Sequence, residues 1–312
     1  MSNYVTVSAL GPPALQTDPK TSNADAIKIM KKHWRDQIER VLPDKPDLIV
    51  LHEACDRFSN FEMGRRLDYY EERGESIRQE MATLATEGQC NIAYSAARKM
   101  PDGTYRNMTE VIDRAGECAG TYNKNHLVPV EYDAANIMYG VEPSLIKLDF
   151  GTVSPAICFD LNFPELLDKV AALKPDIIVF SSMYHGGLMQ PYWAYTARAF
   201  FVGACCNLPC SVLSPVGTVI AESTNYFKRV SAKLNLDCEV VHLDKNWNKI
   251  EAARDKYKDG FNMFDPGFLG CVVISCERED MTINDIINEF EIIKVDDYLA
   301  GCRDHRNKNI KK

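Results

Sequence analysis

A cysteine at the end of an apolar run is the first residue of this chain that could do chemistry. Cys158 closes the run VSPAIC, and a predicted helix follows, with Pro164 in its first turn and Asn162 and Glu165 spaced as in a capping box. A thiol at such a junction feels the positive end of the helix dipole and meets converging backbone N–H groups, which favour a thiolate and an oxyanion site. Most of the eleven cysteines are expected to be buried structural thiols, so this segment alone does not identify a nucleophile.

A glutamate and a lysine add the other groups that a thiol hydrolase needs. Glu53 ends the apolar run DLIVLHE, so its carboxylate is expected at a sheet edge with an apolar backing. Burial of this kind raises the pKa of a carboxyl group and makes it a usable base near neutral pH. Lys124 lies among aromatic and apolar neighbours in GTYNKNHLVPVEY, where an ammonium group could stabilise a tetrahedral intermediate. Taken singly, Glu53 is better explained as a salt-bridged glutamate, and Lys124 as a solvated lysine.

The hydrophobic pattern predicts the elements that position these residues. Apolar residues every three to four positions, after a capping signal at 21–25, predict an amphipathic helix that ends at Pro43. Short apolar runs predict buried strands, and strand-rich sequence broken by Gly and Pro continues through 203–244. Further helices are predicted at 62–86, 164–174 and 189–202, strands at 47–53, 90–98, 144–150, 153–159 and 176–182, and a hairpin turn at Asp102-Gly103. This alternation, without a linker-like segment, favours one α/β domain with two sheets packed face to face.

Composition narrows the classes of protein that fit. The net charge of −8 does not favour nucleic-acid binding, and no window approaches the roughly 18 apolar residues of a membrane span. The N-terminus lacks a basic start followed by a long apolar stretch, so no signal peptide is expected. An odd number of cysteines without an export signal indicates reduced thiols and a cytoplasmic protein. No CxxC pair or zinc-type Cys and His spacing occurs, so neither a metal nor another cofactor is expected.

Three segments carry a family resemblance. PDLIVLHEACDRF, YNKNHLVPVEY and ICFDLNFPELL occur in this order and resemble the signature blocks of the nitrilase, or carbon–nitrogen hydrolase, superfamily. KPDIIVFSS and SPVGTVIAES resemble later blocks, so the similarity extends over residues 1–245. The resemblance implies a four-layer α-β-β-α sandwich of the nitrilase type.

The resemblance also implies roles for individual residues. Glu53 would be the general base, Lys124 the oxyanion stabiliser and Cys158 the nucleophile, with the backbone N–H of Phe159 as a second oxyanion donor. A fourth, structural glutamate often follows the lysine in this family. Glu131 is the candidate for that position, and Glu142 remains an alternative.

The residues after the cysteine bear on the branch of the family. True nitrilases typically carry Cys-Trp-Glu, whereas this chain has Cys158, Phe159 and Asp160, which points to the amidase and N-carbamoyl amidohydrolase branches. Hydrolases of N-carbamoyl amino acids often place arginine two to four residues after the cysteine to hold the substrate carboxylate. Asp160, Leu161 and Asn162 occupy those positions, so we expect a neutral or amine-bearing substrate.

Three further residues are candidate substrate-binding groups. His126 lies two residues beyond the lysine and could bind substrate or only orient Lys124 or Glu131. Tyr184 and His185 follow a predicted buried strand, where their loop could cover the pocket, although a structural role is equally compatible.

The sequence therefore predicts hydrolysis of a non-peptide C–N bond in a small linear amide or N-carbamoyl (ureido) compound. Ammonia would be released through a covalent acyl-enzyme on Cys158. One alternative is a glutaminase-type subunit that supplies ammonia to a partner enzyme, and another is a catalytically silent binding protein.

The C-terminal region is predicted to be separate from the hydrolase domain. We assign residues 1–280 to that domain and 281–312 to a helical tail. Thr282 and Asp285 resemble a capping box, after which Ile283, Ile286 and Ile287 line one helical face. An apolar stripe of this kind must be buried, so we expect a homodimer or larger homo-oligomer in which the tail crosses to a neighbouring subunit. The alternative is that the tail folds back on its own subunit.

Overall fold

The apolar runs and amphipathic stretches of the sequence form a mixed α/β structure. The computed structural model describes residues 2–310. Its strands are β1 (Tyr4–Leu10), β2 (Leu48–Leu51), β3 (Asn91–Lys99), β4 (Tyr105–Ile112), β5 (Cys118–Asn123), β6 (Ile146–Lys147), β7 (Thr152–Ile157), β8 (Ile177–Ser182), β9 (Phe200–Cys205), β10 (Ser211–Leu213), β11 (Val219–Glu222), β12 (Arg229–Asn235), β13 (Cys238–His242), β14 (Phe261–Phe264) and β15 (Cys271–Cys276). Its α-helices are α1 (Asn23–Glu39), α2 (Met63–Arg73), α3 (Ser76–Gly88), α4 (Pro129–Ala135), α5 (Pro164–Leu173), α6 (Met189–Ala197), α7 (Trp247–Tyr257), α8 (Ile283–Glu289) and α9 (Val295–Asn309). None of these helices combines the length and apolar character that a membrane span requires.

The described residues form two units. Residues 5–233 make up the larger unit, and residues 2–4 with 234–310 make up the smaller one. The predicted boundary at residue 280 falls inside the smaller unit, between β15 and α8. The division of the chain into 1–280 and 281–312 stays a prediction.

Two six-stranded sheets form the centre of the larger unit. Their strand orders are β12-β1-β2-β3-β4-β5 and β11-β10-β9-β8-β7-β6. Strand β2 is buried along its whole length and contacts β8 and β9 of the other sheet, so the two sheets lie face to face. Helices α1, α2 and α3 cover the first sheet, and α5 and α6 cover the second. This arrangement confirms the four-layer α-β-β-α sandwich.

Helix α1 shows how the sequence builds one of these layers. Ser22 caps it, since the Ser22 side chain accepts a hydrogen bond from the Asp25 N–H at 3.1 Å. Met30 and Trp34 lie one turn apart on its buried face. The Trp34 indole N–H donates to the carbonyl of Cys55 at 2.9 Å, which fixes the segment that follows β2. The helix predicted before Pro43 is thus confirmed, and it supports the segment that carries Glu53.

Two helix predictions need correction. The stretch 62–86 forms two helices, α2 and α3, because Gly74 adopts a φ of 48° after the first and breaks the hydrogen-bond ladder. The helix predicted at 189–202 ends at Ala197, where Arg198 takes a left-handed conformation, and β9 begins at Phe200. Short apolar sequence that follows a helix is ambiguous between helix and strand, and here it forms a buried strand.

The smaller unit contains a sheet that the sequence pattern did not predict. Its order is β13-β15-β14, with antiparallel pairing throughout. The stripe on α8 formed by Ile283, Ile286 and Ile287 is buried in the same cluster as Val241 and Ile274 of this sheet. The stripe is therefore covered by its own chain, and the expectation that it needs a neighbouring subunit is wrong.

Candidate active site

Glu53 lies two residues beyond the end of β2 and is only 4% exposed. Its Oε1 accepts hydrogen bonds from Lys124 Nζ and Asn107 Nδ2, both at 2.8 Å. Its Oε2 accepts from the Met183 backbone N–H at 3.2 Å. The carboxylate is therefore fixed in direction by donors from three different segments of the larger unit.

Lys124 follows directly after β5 and is 1% exposed. Its Nζ donates to Glu53 Oε1 at 2.8 Å and to Glu131 Oε2 at 2.7 Å. Burial by itself lowers the pKa of Lys124, but the charges of Glu53 and Glu131 outweigh it and hold the pKa above its ordinary value. The side chain is thus a fixed ammonium group at the base of the site.

The structure distinguishes the two candidates for the fourth glutamate. Glu131 lies in the first turn of α4, where it contacts Lys124 and also accepts from the Val128 N–H at 2.9 Å. Glu142 is exposed and pairs with Lys169 at 2.9 Å. Of these two glutamates, only Glu131 adjoins the lysine.

Asn107 is a site residue that the sequence analysis missed. It lies in β4 and is buried, and its Nδ2 donates at 2.8 Å to both Glu53 Oε1 and Glu131 Oε1. Its Oδ1 is buried without a hydrogen-bond partner among the described residues. An asparagine inside a strand carries no sequence motif, and only the position of β4 between β3 and β5 brings it to the two carboxylates.

Cys158 occupies a strained turn at the end of β7. Its φ is 49°, a left-handed value that is uncommon for residues other than glycine, and a 3-10 turn runs from it to Asn162. Asp160 holds this turn by accepting from the Ile157 N–H at 3.0 Å and from the Tyr122 hydroxyl at 2.7 Å. Helix α5 begins after this turn and is capped at Phe163, so the predicted Asn162–Glu165 capping box is wrong.

The electrostatics of Cys158 differ from those expected at a helix N-terminus. Burial raises the pKa of the thiol to about 12, with a further increase from the Glu53 carboxylate and a smaller decrease from Lys124. The Glu53 carboxylate lines the same cavity as the thiol and lies close enough to act on its pKa. The raised pKa does not support the resting thiolate that the sequence suggested, because it favours the protonated thiol at neutral pH.

These groups face one cavity of about 270 Å³. Its polar wall consists of Glu53, Asn107, Lys124, Glu131 and Cys158. Apolar side chains form much of the remaining wall, and two arginines, Arg57 and Arg66, also line it. The sequence analysis did not identify either arginine.

The predicted substrate-binding side chains lie around this cavity and do not line it. The His126 ring stacks on Phe163 at 3.6 Å, and its Nδ1 lies 3.3 Å from Asp160 Oδ1, so it supports the turn that follows Cys158. Tyr184 packs against the cluster that contains Cys158, and its hydroxyl accepts from Asn162 at 3.2 Å.

Two further predictions concern a loop and a backbone group. His185 Nδ1 accepts from the Gly187 N–H at 3.2 Å, which gives it a part in its own turn. Phe159 is the second residue of the 3-10 turn, where the first N–H groups have no acceptor within the turn. Its role as an oxyanion donor stays a prediction.

Comparison with known proteins points to one family. The family model described as Carbon-nitrogen hydrolase matches residues 14–234. The hydrolase in the agr operon of Staphylococcus lugdunensis is 32% identical over 157 residues, which cover 49% of this chain and 65% of that protein. The deaminated glutathione amidase of Rattus norvegicus is 28% identical over 109 residues, which cover 32% of this chain and 33% of that protein. The matches thus span between about one third and just under two thirds of these curated relatives.

A solved structure with the same fold is an amidase of the nitrilase superfamily from Nesterenkonia AN1. It matches with a TM-score of 0.63 at 17% identity, over 75% of this chain and 91% of that chain. In another structure of that amidase, the acetamide moiety of fluoroacetamide is covalently added at the active-site cysteine. At this level of identity the likeness establishes the fold alone.

Proposed function

The chain belongs to the carbon–nitrogen hydrolase family, and from that premise we propose that it is a thiol-dependent amidase. Its substrate would be a small linear amide or N-carbamoyl compound. The observation that carries the proposal is the meeting of Glu53, Lys124 and Cys158 at one cavity, where the Lys124 ammonium group bonds to Glu53 at 2.8 Å. The cysteine adduct of the Nesterenkonia amidase supports the same role for a cysteine in this fold.

The proposed reaction begins with proton transfer. Glu53 takes the proton of Cys158 as the sulfur attacks the carbonyl carbon of the amide. Lys124 and the Phe159 N–H stabilise the negative oxygen of the tetrahedral intermediate. The intermediate collapses as Glu53 returns the proton to the leaving nitrogen. This nitrogen departs as ammonia from a primary amide, or as the parent amine when a carbamoyl group is transferred to Cys158. In the second case ammonia and carbon dioxide form from the carbamic acid that the later hydrolysis releases.

The second half of the reaction hydrolyses the acyl-enzyme. Glu53 accepts a proton from water, and the resulting hydroxide attacks the thioester, or the thiocarbamate if a carbamoyl group was transferred. The acid departs, and the Cys158 sulfur recovers its proton from Glu53. Glu131 and Asn107 take part by fixing the positions of Lys124 and Glu53, since each bonds directly to one of them.

Replacement of the nucleophile tests the proposal. In a screen of small amides and ureido compounds for ammonia release, we expect Cys158→Ala to retain less than about one hundredth of the wild-type rate. Mass spectrometry of the wild-type protein should find a trapped acyl adduct on the peptide that contains Cys158. Cys90→Ala is the matched control, because Cys90 is also a buried free thiol but does not line the cavity. Substantial ammonia release by Cys158→Ala would refute covalent catalysis at this position.

The proposal has two further parts. We expect a cytoplasmic location, because of the cysteine content of the chain, and a homodimer or larger homo-oligomer. Neither depends on the chemistry of the site, and the second is tested by solution mass.

A further inference from the structure

Arg57 and Arg66 reach the catalytic cavity from two different elements. Arg57 lies four residues beyond Glu53, in the segment after β2. Arg66 lies in the first turn of α2, where Met63 and Tyr70 of the same helix face also line the cavity. Both arginines therefore belong to the wall of the space that the substrate would occupy.

Neither arginine has a carboxylate partner within residues 2–310. The Arg66 side chain donates a hydrogen bond to the Phe61 carbonyl at 3.1 Å, and its Nε is buried without a partner in the described chain. Burial lowers the pKa of Arg66, and the nearby positive charge of Arg57 lowers it further. By contrast, Arg73 on the same helix pairs with Asp56.

The acidic groups of the cavity do not compensate these charges. Glu53 and Glu131 both bond to Lys124 and to Asn107, so their lone pairs already serve other donors. An arginine stays protonated in a protein and offers five N–H donors. The buried Arg66 Nε is left unsatisfied, which costs free energy that an anionic ligand in the cavity would offset.

We propose that Arg57 and Arg66 form a carboxylate-binding subsite, so that the substrate carries an acid group as well as the scissile amide. This inference rests on the proposed amidase function and names its substrate class. Guanidinium groups match carboxylates because their planar forks donate paired hydrogen bonds. Apolar wall residues, among them Ala54, Met63 and Ala97, suit a short aliphatic chain between the two ends.

The subsite reverses the substrate preference expected from the sequence. That expectation relied on the absence of arginine at positions 160–162. Instead, the two arginines of the cavity come from the segment that follows β2 and from helix α2, which covers the first sheet. The compounds that fit are short linear acids whose other end carries a primary amide or carbamoyl group.

A pair of substrates that differ only in charge tests the subsite. The monoamide of glutarate should be hydrolysed with a kcat/KM at least about tenfold above that of its methyl ester, mainly through KM. Arg57→Gln and Arg66→Gln should each lower this value for the acid by about 10- to 100-fold while the ester changes little. Arg66→Lys should fall between wild type and Arg66→Gln, because it keeps the charge and loses the fork.

Arg65→Gln is the matched control. Arg65 neighbours Arg66 in α2 but bonds to the carbonyls of Pro19 and Thr21 and does not line the cavity. It should keep the preference for the acid. Equal hydrolysis of acid and ester by the wild-type protein would overturn the subsite, as would a preference that survives in both glutamine variants.

Glutarate binding measured by calorimetry separates the two proposals. Binding that is lost in Arg66→Gln and kept in Arg65→Gln supports the subsite even if no amide is hydrolysed, a result that would overturn only the amidase function. Absence of binding overturns the subsite. Hydrolysis of neutral amides without any preference for the acid leaves the amidase function standing and removes the subsite alone.

Discussion

The Glu53 carboxylate acts on the proton affinity of the Cys158 thiol. Burial and the carboxylate raise the pKa of the thiol to about 12, which favours the protonated thiol at neutral pH. In the proposed mechanism, nucleophilic attack and proton transfer are therefore coupled. The ammonium group of Lys124 lies beside the same carboxylate and balances its charge.

The Glu53→Gln variant should separate the effect of the carboxylate on the pKa of the thiol from its proposed part in hydrolysis. Removal of the negative charge lowers the pKa of the Cys158 thiol, so more thiolate forms at a given pH. We therefore expect faster alkylation of Cys158 at pH 8 and, at the same time, a loss of amide hydrolysis. Alkylation followed by mass spectrometry, alongside ammonia release, measures both. Slower alkylation in Glu53→Gln would contradict the charge coupling.

Residues were predictable from the sequence where they lie in ordered motifs. Glu53, Lys124 and Cys158 lie in the three segments that resemble the signature blocks of the family, and the structure brings all three to one cavity. Asn107 and Arg66 were not predictable in this way. Their approach to the site depends on strand order and on which face of α2 turns inward, and neither is encoded locally.

At the scale of elements, α1 acts as a support for the β2 segment. Trp34 is fully buried and bonds to the Cys55 carbonyl, two residues from Glu53. Trp34→Ala removes this bond and leaves a cavity, so we expect a loss of about 3–5 kcal/mol in the free energy of unfolding. Denaturant unfolding measures the change.

Trp247 offers the control for this experiment. It is 59% exposed at the start of α7, so Trp247→Ala should change the free energy of unfolding by only about 0.5 kcal/mol. If both substitutions cost the same, the role assigned to Trp34 is wrong.

Elements were predictable where burial and periodicity agree. Helix α1 and strands β2, β3 and β8 match their predicted positions closely, because each has a long or wholly apolar pattern. The third sheet was missed as a unit, although its strand β13 lies in the predicted strand-rich region 203–244. Strand β14 is short, half exposed and lacks a continuous apolar run, and β15 was not predicted although it is buried along its whole length. Helix α8 was correctly predicted from its capping box and apolar stripe. The sheet that covers this stripe was not predicted.

At the scale of the whole molecule, the α8 stripe is buried within its own chain. A homo-oligomer would therefore have to form through another surface. A chain that ends near residue 280 would lose α8 and expose the apolar face of the third sheet, including Val241 and Ile274. We expect this truncated form to aggregate. A chain that ends at Lys294 removes only α9 and the residues beyond it, and within the described part of α9 only Val295 is buried.

Light scattering on these forms tests the oligomer. The full chain should have the mass of a dimer or larger assembly, and the form ending at Lys294 should stay folded. If α9 contributes to the contact between subunits, this shorter form should have a lower mass. A monomeric full chain would end the proposal of a homo-oligomer.

The position of Arg66, Met63 and Tyr70 on one face of α2 has a consequence for how such a protein can diversify. Glu53, Lys124 and Cys158, the proposed reacting groups, follow strands of the two sheets, whereas these three side chains lie on a separate helix. A few substitutions along that face would change which compounds enter the cavity without moving those groups. Substrate choice can therefore evolve on one helix, while the residues beneath it stay unchanged.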